Sequence, residues 1–203
     1  MDLLIVVPNA RSYYRVIKFI TELLGRNPNP KVVNIFRKHV KVLTRDYLSL
    51  MKHREFYSRI IKVKEDANLF KVYLEAYLKA NNKEYFDSLI IGIDPGMRIG
   101  VAVIGDGEVI DLVVFHSFER LERYIENIVS NCPFRICKIK IGNGEKWYEI
   151  ATELKKSVIF DKRITMEIID EGGSNSHGII GTVINWVHDK DLASAIKIAL
   201  SSD

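Results

Sequence analysis

LIIGIDPGMRIGVAVI, residues 89–104, decides how this chain folds. From Leu89 to Ile93 every residue is apolar or glycine, as in a strand buried on both faces. Asp94 interrupts the run and Pro95-Gly96 ends it. Gly100 to Ile104 begins a second strand, and Asp106-Gly107 is the two-residue signal for a tight hairpin into a third, Glu108 to Phe115. An ionised carboxylate at the tip of a core strand is costly unless something compensates it. A metal ion is the usual compensation, so the segment points to catalysis.

Downstream, Ser117 can cap a helix with Phe118, Leu121, Ile125 and Ile128 on its apolar face. Cys137, Ile139 and Ile141 alternate with Lys138 and Lys140, which predicts a strand broken by Gly142-Asn143-Gly144. A helix over 145–156 carries Trp147, Ile150, Ala151 and Leu154 on its apolar face. Strand 164–169 leads into Asp170-Glu171-Gly172-Gly173, and a last helix runs from about Asp189 to Leu200. Three strands, helix, strand, helix, strand, helix predict an α/β domain, a mixed five-stranded sheet with helices on its faces.

Upstream, Leu3 to Val7 can form a short strand that Pro8 stops. Tyr13, Val16, Ile17, Ile20, Leu23 and Leu24 recur at helical spacing until Gly25, Pro28 and Pro30. Val33, Phe36, Val40, Leu43, Tyr47 and Leu50 follow in steps of three and four, a narrow seam for another helix or a second copy of the chain. Phe56, Tyr57, Ile60 and Ile61 prolong it. Asp66 or Asn68 can cap a further helix through Leu69, Tyr73, Ala76 and Tyr77 to Asn81-Asn82. Residues 1–87 therefore read as an all-helical domain and 88–203 as the α/β domain.

Charge divides the same way. Residues 1–87 hold 17 Lys and Arg against 9 Asp and Glu, net +8, whereas residues 88–203 are net −4. A basic half beside an acidic one suits a nucleic-acid-binding or dimer-forming module joined to a carboxylate-bearing one, and equally a helical domain kept soluble by lysines. With 203 residues, 47% of them apolar, the chain can build one substantial core or two small ones. No run is long enough to span a bilayer, and Leu3 to Val7 lacks the flanks of a secretion signal. Cys132 and Cys137 have no histidine at ligand spacing and read as reduced core thiols, so the expected location is cytoplasmic. Glutamine is absent while lysine and isoleucine are plentiful, a composition that suits a thermophile.

Acids occur where the sheet should expose its strand ends: Asp94 after the first strand, Asp170 and Glu171 after the last, Asp189 and Asp191 at the final helix. Three carboxylates converging there would make an oxygen-rich site for Mg²⁺ or Mn²⁺. Each has a structural alternative. Asp94 can be a turn former before Pro95, Asp189 an N-cap, and Asp191 a first-turn acid held by the helix dipole. Asp170 and Glu171 are neighbours on a strand end, so at most one enters the site. Glu145, after the fourth strand's break, competes with them and can also be a first-turn helix acid. Asn143 in its glycine turn and Arg98 after the first strand are candidate phosphate contacts. His177 and His188 read as loop or surface groups, Trp147 and Trp186 as core.

IGIDPGMRIGVAVIGDG resembles the first motif of the RuvC-like Holliday-junction resolvases, and especially of their YqgF-type relatives. IKIGNG is similar to the YqgF strand that ends in glycine, IIDEGGSNS to its aspartate-glutamate motif, and HDKDLASAIKIAL to its closing helix. The resemblance covers roughly residues 88–201. It implies a ribonuclease H-like fold, Mg²⁺ held by acids, and a structure-selective endonuclease of branched DNA or structured RNA, often dimeric. Carried over by position, Asp94, Glu171 and Asp191 are the catalytic and metal-binding acids. Three positions depart from the pattern. Gly172 stands where YqgF proteins carry arginine, Ser194 where RuvC proteins carry a further aspartate, and Gly142-Asn143 where RuvC places its second acid. The alternative is therefore a catalytically weakened or inactive nucleic-acid-binding protein on the same fold. Glycine-rich strand turns such as residues 92–96 also hold nucleotide phosphates in actin-like kinases and ATPases, which need two such domains.

Overall fold

The computed structural model describes residues 3–27, 29–45, 59–157, 161–170 and 187–201. The chain divides into two compact units, Met1–Tyr85 and Phe86–Asp203.

The first unit is built on β1 (Leu3–Val7), whose five residues are all buried. Strands buried on both faces belong to parallel sheets, and β1 is the centre strand of one. β2 (Val40–Thr44) and β3 (Arg59–Lys62) pair with it in parallel on either edge, Leu3 opposite Val40 and Arg59. Two helices lead from β1 to β2. α1 (Ala10–Arg26) starts where Asn9 Oδ1 accepts from Ser12 N at 2.9 Å, and buries Val16, Ile20 and Leu23. α2 (Pro30–His39) has Asn29 as N-cap and proline in its first turn, where a missing N–H costs nothing. α3 (Leu69–Ala80) follows β3; Asn68 caps it, and Asn82, at φ 61°, closes the turn after it. Phe36 of α2 stacks on Tyr73 of α3 at 4.8 Å between ring centroids.

Residues 1–87 are therefore not all-helical, which corrects the expectation drawn from spacing. The steps of three and four from Val33 fit a helix only as far as His39. Val40, Val42 and Thr44 are β-branched and alternate with Lys41 and Leu43, and β1 offers them an open edge, so the chain extends there. Ile60 and Ile61 likewise lie in β3, not in a prolonged helix. Tyr47, Leu50, Phe56 and Tyr57 lie outside the described residues.

The second unit contains β4 (Phe86–Pro95), β5 (Ile99–Gly105), β6 (Glu108–Phe115), α4 (Phe118–Asn131), β7 (Phe134–Gly142), α5 (Trp147–Ser157), β8 (Ile164–Ile169) and α6 (Lys190–Leu200). The sheet order is β6-β5-β4-β7-β8, with the first three strands antiparallel and β4-β7-β8 parallel. Asp106 (φ 49°) and Gly107 (φ 83°) form the hairpin turn into β6, where both central residues need positive φ. Asp106 Oδ1 also accepts from Ser88 N at 2.9 Å, tying the turn to β4.

Residue parity assigns the two faces. Ile90 and Gly92 of β4 and Ala102 and Ile104 of β5 face α6, whose Ala195, Ile196 and Ala199 pack on them. A Cβ on Gly92 would overlap the Ala195 carbonyl oxygen, so glycine there lets the helix lie against the strand. On the other face are Leu89, Ile91, Ile93, Ile139 and Ile141, all fully buried. α4 covers that face: Tyr124 donates its hydroxyl to the buried Asp111 of β6 at 2.8 Å. Lys140, also buried, reaches past the α6 face and donates Nζ to Ser201 O at 2.5 Å, closing the carboxyl end of α6 with a cation. Trp147 is half-buried, so it is not the core residue its spacing predicts; Trp186 is outside the described residues.

Candidate active site at the carboxyl end of β4

β4 ends in Asp94-Pro95, and the antiparallel register sets Asp94 opposite Gly100 of β5. Directly paired residues present their side chains on the same face of a sheet. A Cβ on Gly100 would overlap the Asp191 carbonyl oxygen and lie 3.2 Å from the Asp191 Cβ. The first turn of α6 therefore rests on the place that any side chain at 100 would fill. That contact brings Asp191 beside the strand pair that carries Asp94.

Asp189 is the N-cap of α6. Its Oδ1 accepts from Asp191 N at 3.0 Å and Leu192 N at 3.4 Å, as its structural alternative predicts. Its Oδ2 takes Arg98 Nη2 at 2.5 Å, while Arg98 Nη1 lies 3.1 Å from Asp191 Oδ2. The Arg98 guanidinium thus bridges both acids from the β4–β5 turn. It holds the Asp189 carboxyl below the usual carboxylate range, and Asp189 in turn raises Arg98. Asp191 Oδ2 is enclosed and, although ion-paired, makes no aligned hydrogen bond among the described residues.

The remaining candidates lie beside this cluster or outside it. Asn143 follows β7 and donates Nδ2 to Asp170 Oδ1 at 2.9 Å, while its N–H goes to Ile169 O at 3.0 Å. Asp170 is therefore tied to the β7 end. A Cβ on Gly144 would lie 2.9 Å from Pro95 O, so the turn carrying the exposed Glu145 passes close to the end of β4. Glu171 and His177 lie outside the described residues, and His188 is exposed. Among the described residues no group of three or more His, Cys, Asp or Glu side chains has the arrangement of a metal site. No described helix is long and apolar enough to cross a membrane.

Two features escaped sequence reasoning. One is Gly100 as a seat for α6; its signal was available, since the paired strand positions Gly92, Gly100 and Ala102 are small and so are Ala193, Ser194, Ala195 and Ala199 of the helix. The other is the Arg98 bridge, which spans 91 residues to Asp189 and has no local signature.

Three antiparallel strands followed by two parallel ones, in the order third-second-first-fourth-fifth with helices on both faces, define a ribonuclease H-like fold for the second unit. No family model matches the sequence, and no curated protein matches it. Similar solved structures include T. thermophilus RuvC in complex with a Holliday junction substrate, at 14% identity over 55% of this chain and 90% of that one, TM-score 0.37. Marinitoga piezophila Argonaute with a 5′-OH guide RNA and target DNA is similar at 12% identity over 89% of this chain and 41% of that one, TM-score 0.34. A Bacteroides thetaiotaomicron protein with an actin-like ATPase fold is similar at 12% identity over 61% and 45%, TM-score 0.32. The chain spans less than half of the latter two.

Proposed function

We propose that this protein is a divalent-metal-dependent, structure-selective endonuclease of the RuvC and YqgF type, cutting branched DNA such as Holliday junctions or structured RNA. Asp94, Glu171 and Asp191 are the acids that would hold Mg²⁺ or Mn²⁺. The observation that carries the reading is Gly100, which lets Asp191 sit beside the strand pair ending in Asp94. The donor set fits a hard cation: its atoms are carboxylate oxygens, and Asp191 Oδ2 is enclosed without an aligned hydrogen bond. When bound, such an ion supplies activation of a water nucleophile and neutralisation of the leaving oxygen in phosphodiester hydrolysis. Asp189 fixes the first turn of α6 through its two backbone hydrogen bonds and so orients Asp191. Arg98, half-exposed at the mouth, is the cation an incoming phosphodiester meets first, with Asn143 on the β7 side. The basic residues of 1–87 grip nucleic-acid backbone or pair two subunits, and binding weakens steeply with salt as counterions cease to be released.

The second reading, a nucleic-acid-binding protein with a vestigial site, is favoured by one observation: Arg98 already ion-pairs with both Asp189 and Asp191. Cleavage of four-way junctions, other branched DNA and hairpin RNA with Mg²⁺ or Mn²⁺ separates the two. The endonuclease cuts at least one of them, and Asp94→Asn abolishes the cut while retaining binding. Binding of these substrates with no cleavage of any rejects the enzyme.

A further inference from the structure

The first unit carries a cavity of about 610 Å³ lined by Arg11, Ser12, Arg15, Glu65 and Asp66. Its position follows from the sheet order β2-β1-β3. From the central β1 the chain passes through α1 and α2 to one edge, and β3 pairs on the opposite edge. The crevice beyond the carboxyl ends of strands, where such connections diverge, is where open parallel sheets bind ligands. Arg11, Ser12 and Arg15 come from the start of α1, directly after β1. Glu65 and Asp66 come from the segment after β3, whose pairing is extended by Val63 N donating to Val6 O at 2.8 Å.

The lining selects a phosphoryl group. α1 has 17 residues, and its amino end presents N–H groups and the positive end of a dipole. Ser12 is 3% exposed, and its Oγ has no hydrogen-bond partner among the described residues, although its N–H is satisfied by Asn9. A buried hydroxyl without a partner is a cost the fold would not bear for packing alone, and a ligand oxygen removes it. Arg15 Nη1 donates to Glu65 O at 2.6 Å, which anchors one guanidinium at the rim. Arg11 is exposed and makes no hydrogen bond or ion pair among the described residues. The two acids define what accompanies the phosphoryl group. Glu65 accepts from Asn9 Nδ2 at 3.3 Å, and with Asp66 it repels a chain of phosphates but accepts from sugar hydroxyls.

We propose that this crevice binds a nucleoside monophosphate unit, its phosphoryl group at Ser12 and the arginines and its sugar hydroxyls at Glu65 and Asp66. The unit is either a free nucleotide or the phosphorylated end of a strand. The site is independent of the acids at β4.

Calorimetry on the full chain with adenosine 5′-monophosphate, adenosine, and one oligoribonucleotide with and without a terminal phosphate tests this. Removing the phosphate from either probe weakens binding by about tenfold or more, the worth of one or two charge-assisted hydrogen bonds. Ser12→Ala and Arg11→Met each weaken the phosphorylated probes by about tenfold and leave the unphosphorylated ones unchanged. Strand-end recognition makes the phosphorylated oligonucleotide the tightest ligand, and nucleotide recognition makes the monophosphate tightest; either supports the proposal. It is overturned if the phosphate adds no affinity to either probe, or if Arg11→Met, an exposed position that folding does not depend on, leaves phosphorylated and unphosphorylated probes bound as in the parent. Asp94→Asn retains this binding, so loss of cleavage and loss of the phosphate site are read separately.

Discussion

Gly100→Ala tests the contact on which the β4 site rests. The new methyl would overlap the Asp191 backbone oxygen, and a carbonyl cannot swing aside as a side-chain tip can. α6 must move as a body or β5 must bend. Forcing an extra carbon into a packed contact costs about 1–3 kcal/mol. Alanine also narrows the unfolded ensemble, which offsets about 0.4–1 kcal/mol. The net is a loss of about 1–2 kcal/mol, or about 4–8 °C in the melting temperature of a domain this size. Gly25→Ala is the matched control, because nothing lies within 4 Å of its would-be Cβ and it sits near the end of α1. The same chemical change there should be neutral or raise stability by up to about 0.5 kcal/mol. Thermal and urea unfolding followed by circular dichroism measure both. If the site is catalytic, displacing Asp191 by about 1 Å lowers cleavage by about a hundredfold, well beyond the fraction unfolded. Equal stability of Gly100→Ala and the parent would refute the close contact between β5 and the first turn of α6, and with it the support that contact lends to a shared site for Asp94 and Asp191.

Asp161 is held at about 2, first by its hydrogen bonds from the Arg163 side chain and then by the Arg163 backbone N–H. A depressed carboxylate stabilises the fold above its unfolded pKa of about 3.9, and that contribution fades as pH falls through about 2. Carboxyl NMR titration should find Asp161 near 2 and return it towards the ordinary range in Arg163→Ala; an unchanged Asp161 in that variant refutes the assignment. Burial pushes Cys132 and Cys137 up to about 12, so both remain thiols at neutral pH. Native protein at pH 8 should be inert to thiol reagents that label both cysteines in urea, and fast native labelling would contradict the burial.

The second unit was legible because its signals are local. Asp106-Gly107 specifies a turn, Pro95-Gly96 stops a strand, and Cys137, Ile139 and Ile141 alternate on a strand that does alternate. The first unit was misread because Val33 to Leu43 satisfies a helical period and a helix-then-strand arrangement alike. Leu3 to Val7 held the correction. Five consecutive residues buried on both faces have backbone groups on two edges, which a helical domain cannot satisfy. Partner strands had to come from somewhere, and the β-branched Val40, Val42 and Thr44 were the nearest. At the candidate site, the ends of β4 and α6 that carry Asp94, Asp189 and Asp191 were readable from sequence, whereas the partner of Arg98 depends on where α6 lands on the sheet. Nothing local encodes that landing except the small residues that permit it.

Both units place polar chemistry beyond the carboxyl ends of their central strands, for the same reason. Strands buried on both faces, as β1 and most of β4 are, have no side positions to spare for polar groups, so chemistry gathers where the strand stops. The signs differ, however. At β4 the lining supplies carboxylates, which repel a polyanion unless a cation intervenes, and Arg98 lies on two of them, Asp189 and Asp191. At β1 the lining balances Arg11 and Arg15 against Glu65 and Asp66, and the Ser12 hydroxyl has no partner among the described residues, so a single phosphoryl group could be taken there without a metal ion. With net +8 in residues 1–87 and −4 in the remainder, the proposed affinity for nucleic acid would draw its electrostatic part mainly from the first unit. If the proposed function holds, Asp94→Asn should leave the affinity for a four-way junction and its salt slope as in the parent while cleavage is lost, and a flattened salt slope in binding titrations would place the backbone contacts at β4 instead.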